Sequence, residues 1–330
     1  MADASLPLLV IIFAFAIAFG LANGFNDAAN AIATVIGTRA LSPRTAVGMA
    51  AMLNFAGAAT GTAVAVTIGK GILTPGAIDQ WTLLAALFSA VTWVVIATYW
   101  GLPVSVSHSL IAGLVGAGLA STGIGVISWS KLEQVLASVV TAPALGFIFA
   151  LLMMVGLLWI FRRTAPTQVR NVSSRLQILS AAFMAYSHGK NDGQMPIGVM
   201  ALALVLYNGG EFRIPFWIVA LSAASISLGT AFGGWRVIKT VGLRITALQP
   251  IHGFAAQTSA ATVIEVASSM GIPVSTTHCI SSSIMGVGSV RRLSAVRWGI
   301  AGNIITAWVV TFPICIGLGW LLAQLFKAAF

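Results

Sequence analysis

The run Gly101-Leu102-Pro103-Val104-Ser105-Val106-Ser107-His108 returns 170 residues later as Gly271-Ile272-Pro273-Val274-Ser275-Thr276-Thr277-His278. Five of the eight positions are identical, and one Leu/Ile and one Ser/Thr exchange account for two more. Each copy follows an apolar run and precedes a run of small residues, 110–119 and 280–288. Gly and Pro end one helix, and the Ser stands where an N-cap opens the next. In an apolar chain this predicts a broken helix whose second half aims bare N–H groups and hydroxyls at a ligand. That combination suits a tetrahedral oxyanion.

The setting is a membrane. Of the 330 residues 58% are apolar and only 7% charged, with 34 glycines, and the mean hydropathy is +0.98. This composition predicts an all-α polytopic membrane protein whose small residues let helices pack closely in lipid. A cleaved signal peptide is not expected, because the segment 1–5 carries Asp3 and no positive charge. Two cysteines, Cys279 and Cys315, give neither a disulfide framework nor metal-ligand spacing.

The net charge of +10 raises nucleic acid as a partner, and its distribution excludes it. When the loops between apolar runs are assigned to alternate sides, one side collects Arg39, Arg44, Arg162, Arg163, Arg170, Arg175, Arg236, Lys239, Arg244, Arg291, Arg292 and Arg297, twelve bases and no acid. The other collects Asp3, Lys70, Asp79, Lys131, Glu133, Glu211, Arg213 and Lys327, four of each sign. The positive-inside rule makes the first side cytoplasmic.

The resulting plan has two halves. In the first, 6–36 crosses inward with a polar interruption at 23–27, which leads us to expect a tilted or broken helix. Then 45–68 returns, 81–124 forms a re-entrant hairpin with the repeated motif at its tip, and 135–161 crosses inward. An Arg-rich cytoplasmic linker, 162–175, separates residues 1–161 from 176–330. The second half repeats the plan: 176–206, interrupted at 187–193; 215–234; a hairpin over 246–288; and 298–326. Three crossings plus one re-entrant hairpin per half give the halves opposite orientations. Such inverted-topology repeats characterise secondary transporters with a midplane site built from broken helices.

Three of the seven acids lie inside apolar segments: Asp27, Asp192 and Glu265. A carboxylate at the bilayer centre costs about 2.5–3.5 kcal/mol on insertion scales, so each needs a partner or a function. Asp27 and Asp192 share the dipeptide Asn-Asp at matching places, Asn26-Asp27 and Asn191-Asp192, which predicts an oxygen-rich cation or proton site. Two buried aspartates that merely hold broken helices together are the bland alternative. Glu265 has no repeat mate and reads as a titrating group or as a partner for Lys190. Lys190, beside Asp192, reads as an anion contact or a neutralising neighbour. His108 and His278, one turn past the tips, are expected to cap or hydrogen-bond. Ser105 and His108 do not read as a nucleophile and base, since no acid orients the histidine. His188 and His252 lack the clustered ligands of a metal site.

Gly24-Phe25-Asn26-Asp27-Ala28-Ala29-Asn30-Ala31, His188-Gly189-Lys190-Asn191-Asp192-Gly193-Gln194 and the two Pro-Val-Ser-x-(Ser/Thr)-His tips resemble the motifs of the inorganic phosphate transporters, the PiT or PHO4 family, in their bacterial form. The resemblance spans nearly the whole chain. It implies symport of phosphate with Na+ or H+ by alternating access, no enzymatic activity, no cofactor beyond the coupling ion, and a homodimer in a bacterial cytoplasmic (inner) membrane. It places phosphate at Ser105, Ser107, Ser275, Thr276 and Thr277, with Gln194 as a bridge. It places the cation, Na+ if that is the ion, at Asp27 and Asp192 with Asn26, Asn191 and Asn30. The chain departs from the family at three points. Asn54 and Gln257 stand where many members have membrane-embedded glutamates, and Met195 stands where many have Lys. These departures keep a sulfate permease of the same fold as the alternative. An anion channel is a further class, against which Asp27 and Asp192 argue.

Overall fold

In the computed structural model the described residues are 5–74, 78–290 and 292–329; Asp3 and Arg291 of the charge count lie outside them. Among the described residues the chain is helical throughout, the only strand-like pairing being a single bridge between Leu73 and Ile127. The protein is an all-α polytopic membrane protein.

The helices run α1 (Leu6–Gly37), α2 (Pro43–Ala58), α3 (Ala63–Lys70), α4 (Gln80–Trp100), α5 (Val106–Thr122), α6 (Trp129–Ile160), α7 (Pro166–Asp192), α8 (Gln194–Asn208), α9 (Phe216–Phe232), α10 (Trp235–Lys239), α11 (Pro250–Ser269), α12 (Thr276–Ser289) and α13 (Trp298–Ala329). A π-helical turn, Thr240–Arg244, extends α10. Among the described residues, helices α1, α4, α6 and α13 are each long and apolar enough to cross a membrane, and the pairs α2–α3 and α9–α10, bent by 68° and 62°, are each apolar enough for a broken span or a re-entrant loop. The element order therefore repeats. A bent pair, then a hairpin (α4–α5 or α11–α12), then a 32-residue helix with an internal proline (Pro143 in α6, Pro313 in α13) occur once in each half.

Three sequence expectations change. Helix α1 is continuous, so of the tilted or broken helix expected from 23–27 the break is absent. It contains no proline between Leu8 and Gly37, and Asn26, Asp27 and Asn30 bond to neighbouring helices, so the backbone need not open there. Its counterpart does break, between α7 and α8 at Gly193. The break between α2 and α3 was not expected. Helix α7 begins at Pro166, so Arg170 and Arg175 lie on its first turns rather than in a loop.

Each hairpin is covered by the long helix of the other half. Helix α13 lies along α4 and α5, and α6 lies along α11 and α12. The Trp93 indole N–H donates to Thr311 Oγ1 at 2.9 Å, Ser89 to the Cys315 carbonyl at 2.9 Å, and Ser283 to the Gly146 carbonyl at 2.9 Å. Matching glycines allow this approach. A Cβ on Gly116 of α5 would meet the Ile316 carbonyl oxygen of α13 at 2.1 Å, and one on Gly286 of α12 the Phe147 carbonyl oxygen of α6 at 2.4 Å. Backbone carbonyls inside helices cannot move aside, so Gly116→Ala and Gly286→Ala should each destabilise the fold by about 1–3 kcal/mol. The check is the thermal transition of purified protein in detergent; an unchanged midpoint in both would contradict this packing.

Candidate functional site

At the first tip α4 ends on Gly101 in the left-handed region (φ 71°), and the second hairpin turns at Gly271 (φ 73°). Pro103 and Pro273 follow, and each next helix opens on a serine cap. Ser105 Oγ accepts from the His108 backbone N–H, and Ser275 Oγ from that of His278, both at 3.2 Å. Both caps fall where the sequence placed them. Each hydroxyl keeps its own proton to donate. The tips touch, for Ser107 Oγ donates to the Val274 carbonyl at 3.2 Å.

Behind α12 stands α1. Thr276 and Thr277 donate to the two carboxylate oxygens of Asp27, at 3.2 and 3.0 Å. Asn30 Nδ2 donates to the same two hydroxyl oxygens, at 3.1 and 3.0 Å. The residues expected for the anion and those expected for the cation are thus hydrogen-bonded to one another. Asp27, Asn30, Thr276 and Thr277 are all buried.

The two aspartates meet across a residue that the sequence reading set aside. His188 Nε2 lies 3.7 Å from Asp27 Oδ2 and 3.4 Å from Asp192 Oδ2, and one ligand atom from each of the three residues falls within 4.8 Å of the others. This corrects the expectation that His188 has no clustered ligands. The signal was present, since His188 and Asp192 are four apart on one helix and share a face. Asn54 orients the ring. Its Nδ2 donates to Thr230 Oγ1 at 2.8 Å, which leaves its Oδ1 to accept from His188 Nδ1 at 2.8 Å. His188 Nε2 is therefore turned to the carboxylates. Asp192 Oδ2 and Asn30 Oδ1 have no hydrogen-bond partner among the described residues. Two buried carboxylates, one with an unpartnered oxygen, and an orphan amide oxygen fit a hard cation or a proton.

Asn26 and Asn191 do something else. Asn26 Nδ2 donates to Thr98 Oγ1 of α4 at 2.6 Å. Asn191 Oδ1 accepts from Ser268 Oγ of α11 at 3.1 Å and from the Val274 N–H at 3.3 Å, while its Nδ2 donates to the Val274 carbonyl at 2.8 Å. Thr98 and Ser268 hold matching positions in their hairpins. The two asparagines thus tie their helices to the hairpins, and Asn191 also touches the Asp192 carboxylate.

Gln194 departs from the expected bridge to phosphate. Its Oε1 accepts from the N–H groups of Val64 and Ala65 at 2.8 and 3.2 Å, capping α3 past the bend, and its Nε2 donates to the Lys190 carbonyl at 2.6 Å. Lys190 pairs with Glu265 and reaches Ser269 at 3.3 Å, so it is neutralised by Glu265 and directed away from the aspartates. Gln257 binds α1 to α7, donating to the Ala31 carbonyl at 2.7 Å and accepting from Ser180 at 3.1 Å. Met195 is buried in the apolar core. The side chains of His108 and His278 do not hydrogen-bond as expected. Their rings pack edge-on at 5.0 Å, His278 stacks on Trp308 at 3.9 Å, and His108 lies 5.1 Å from Phe312.

Residues 23–319 match the model of the phosphate transporter family, PHO4. A probable low-affinity inorganic phosphate transporter of Rhizobium meliloti (strain 1021) is 47% identical over 316 residues, 94% of this chain and 95% of the relative. A protein of the same description from Bacillus subtilis (strain 168) is 38% identical, covering 96% of both chains. A solved structure described as the sodium-dependent phosphate transporter superposes with a TM-score of 0.92 at 29% identity, over 98% of this chain and 100% of that one. The chain belongs to the phosphate transporter (PHO4) family.

Proposed function

We propose that this protein carries inorganic phosphate across the bacterial cytoplasmic membrane by symport with a cation, around one site shared by both. The observation that carries this reading is the set of bonds from Thr276 and Thr277 to the Asp27 carboxylate. The hydroxyls at the start of α12 join the anion's groups to the cation's. A cation between Asp27 and Asp192 neutralises the carboxylates and frees these hydroxyls to donate to phosphate. Phosphate beside it in turn supplies negative charge that holds the cation. Each ligand then tightens the other, reciprocally.

Ser105 and Ser275 cap the two helices and, with Ser107, Thr276 and Thr277, donate hydroxyl protons to the oxyanion alongside the helix N–H groups. Asp27, Asp192, His188 and Asn30 face the cation, and Na+ is the coupling ion that the solved neighbour's description favours. His188 is an addition to the residues that the motifs supplied. Asn26, Asn191 and Gln194 hold the frame. The two halves are inverted repeats, residues 1–161 and 176–330, joined at the side carrying the twelve bases. Alternating access comes from movement of the hairpins, and two copies form a dimer. The relatives' descriptions favour phosphate over sulfate.

The experiment is uptake of labelled phosphate by proteoliposomes, with sodium and proton gradients imposed separately and sulfate as competitor. Uphill accumulation under one gradient, indifferent to excess sulfate, is the expected result and names the ion. Equilibration without accumulation under either gradient would make the protein a channel.

A further inference from the structure

The polar residues of α1 do not stop at the cluster. Asn23, Asp27, Asn30, Thr34 and Thr38 recur at intervals of four, three, four and four, which keeps them on one helix face. On α7 the same holds for His188, Gln177 and Ser173. The two rows are in register. Asp27 faces His188 at one level. Eleven residues along each helix, Thr38 Oγ1 donates to Gln177 Oε1 at 2.8 Å. The helices run in opposite directions, so both rows leave the central cluster toward the same end, over about 16 Å at 1.5 Å per residue.

The atoms along this interface are unusual for a helix contact. Thr34 Oγ1, Gln177 Nε2 and Ser173 Oγ are buried without a hydrogen-bond partner among the described residues. Thr34, Gln177 and Ser173 are at most 1% exposed. An orphaned buried polar atom costs about 1–3 kcal/mol, so a row of them points to water or a passing polar ligand rather than to packing. Met184, fully buried on the same face of α7 between Gln177 and His188, is the one long apolar side chain in that row. At the far end lies a cavity of about 640 Å³ lined by Thr38, Arg162, Arg170 and Gln249, with two guanidinium groups and no acid. The opposite direction is different in kind. Beyond Asn23 the same face of α1 continues as Phe19, Ala16 and Ile12, all fully buried and apolar.

We propose that the seam between α1 and α7, from the Asp27–His188 pair past Met184 to the Thr38–Gln177 bond, is the route by which phosphate leaves the central site. It opens into the cavity of Arg162 and Arg170 on the cytoplasmic side. The inference rests on the central cluster being the transport site. Thr34 and Ser173 supply hydroxyl donors along the way, and the Gln177 amide, with one free N–H donor set, stands at the mouth. The two arginines at the exit draw the anion out of the seam.

The test uses Thr34→Cys and Thr38→Cys with a small, membrane-impermeant thiol reagent, applied to inside-out and right-side-out vesicles. Cys279 and Cys315 are fully buried, and the unsubstituted protein is the labelling control. The expected result is reaction of both variants from the cytoplasmic side only, slowed at Thr34→Cys by phosphate, with uptake lost once Thr38→Cys is modified. In parallel, Gln177→Leu and Gly253→Ala should cut uptake by about tenfold, the loss of one charge-assisted hydrogen bond on the route. Phosphate binding to the solubilised variants should stay within about twofold. The second variant acts through Gln177, because a Cβ at 253 would sit 1.9 Å from Gln177 Nε2. No reaction at position 34, reaction from the outer side, or wild-type uptake in both Gln177→Leu and Gly253→Ala would overturn the route. Failure of the unsubstituted protein to take up phosphate at all would instead overturn the transport reading on which it rests.

Discussion

Asp27→Asn abolishes concentrative phosphate uptake while the protein still inserts and folds. The amide has nearly the shape of the carboxylate, so the substituted side chain keeps an oxygen for Thr276 or Thr277 and preserves the contact with α12. What the substitution removes is one of the two negative charges facing His188. A single carboxylate no longer balances a cation and the imidazole as two do, and the cation's affinity falls with it. Phosphate loses the neighbouring positive charge that made its own binding favourable, and uptake falls by up to about a hundredfold, the upper end of a coupling free energy of 1–3 kcal/mol. Because burying two like charges is costly, the variant should melt no lower than the parent in a buffer without Na+. Asp192→Asn behaves the same way. Retained cation-dependent uptake in either variant, measured in proteoliposomes, would remove the cation role.

Asn191→Leu fails for the opposite reason. Asn191 is the residue next to Asp192, yet its amide serves the Val274 carbonyl, the Val274 N–H and Ser268. Leucine leaves the Val274 N–H and the Ser268 hydroxyl without this partner and the Val274 carbonyl with Ser107 alone, beside the tip of the second hairpin. At about 1 kcal/mol for each bond, plus the penalty of the orphaned Val274 N–H, the loss is about 3–5 kcal/mol. The expected outcome is low yield and a clear fall in the melting midpoint in detergent, with lost uptake as its consequence. Asn26→Leu should show the same pattern more mildly, since it breaks one bond, to Thr98. Adjacent residues of one motif thus separate, one set by chemistry and one by architecture. Equal thermal stability of Asn191→Leu and the parent would refute the division.

How much of this the sequence disclosed depends on whether the signal is local. The serine caps were legible because a cap is set by residues three apart, Ser105 with His108 and Ser275 with His278. The repeated hairpins followed from the duplicated motif, and the placement of Asp27 and Asp192 followed from the cost of a charge in lipid. The break between α2 and α3 escaped notice because Ala58, Ala59, Thr60 and Gly61 contain no proline. That bend is held from elsewhere, by the Gln194 amide on the N–H groups of Val64 and Ala65. The same contact takes Gln194 away from the phosphate role its place beside a motif aspartate suggests, since its amide is spent on α3 and on the Lys190 carbonyl. The continuity of α1 was also beyond a local reading. Asn26, Asp27 and Asn30 look helix-breaking in sequence, yet Thr98, Thr276 and Thr277 bond the two amide nitrogens and the carboxylate across the fold. His188 was within reach, one turn from Asp192, but its other carboxylate lies 161 positions away in sequence on α1.

The central claim is that cation and phosphate share one site through Asp27 and α12. The most direct measurement is the affinity of purified protein for phosphate at fixed pH, with saturating Na+ and then with choline in its place. The account predicts that Na+ tightens phosphate binding by about tenfold or more, reciprocally, and that Asp27→Asn erases the difference. Equal phosphate affinity in both media, or a Na+ effect that survives in Asp27→Asn, would contradict it.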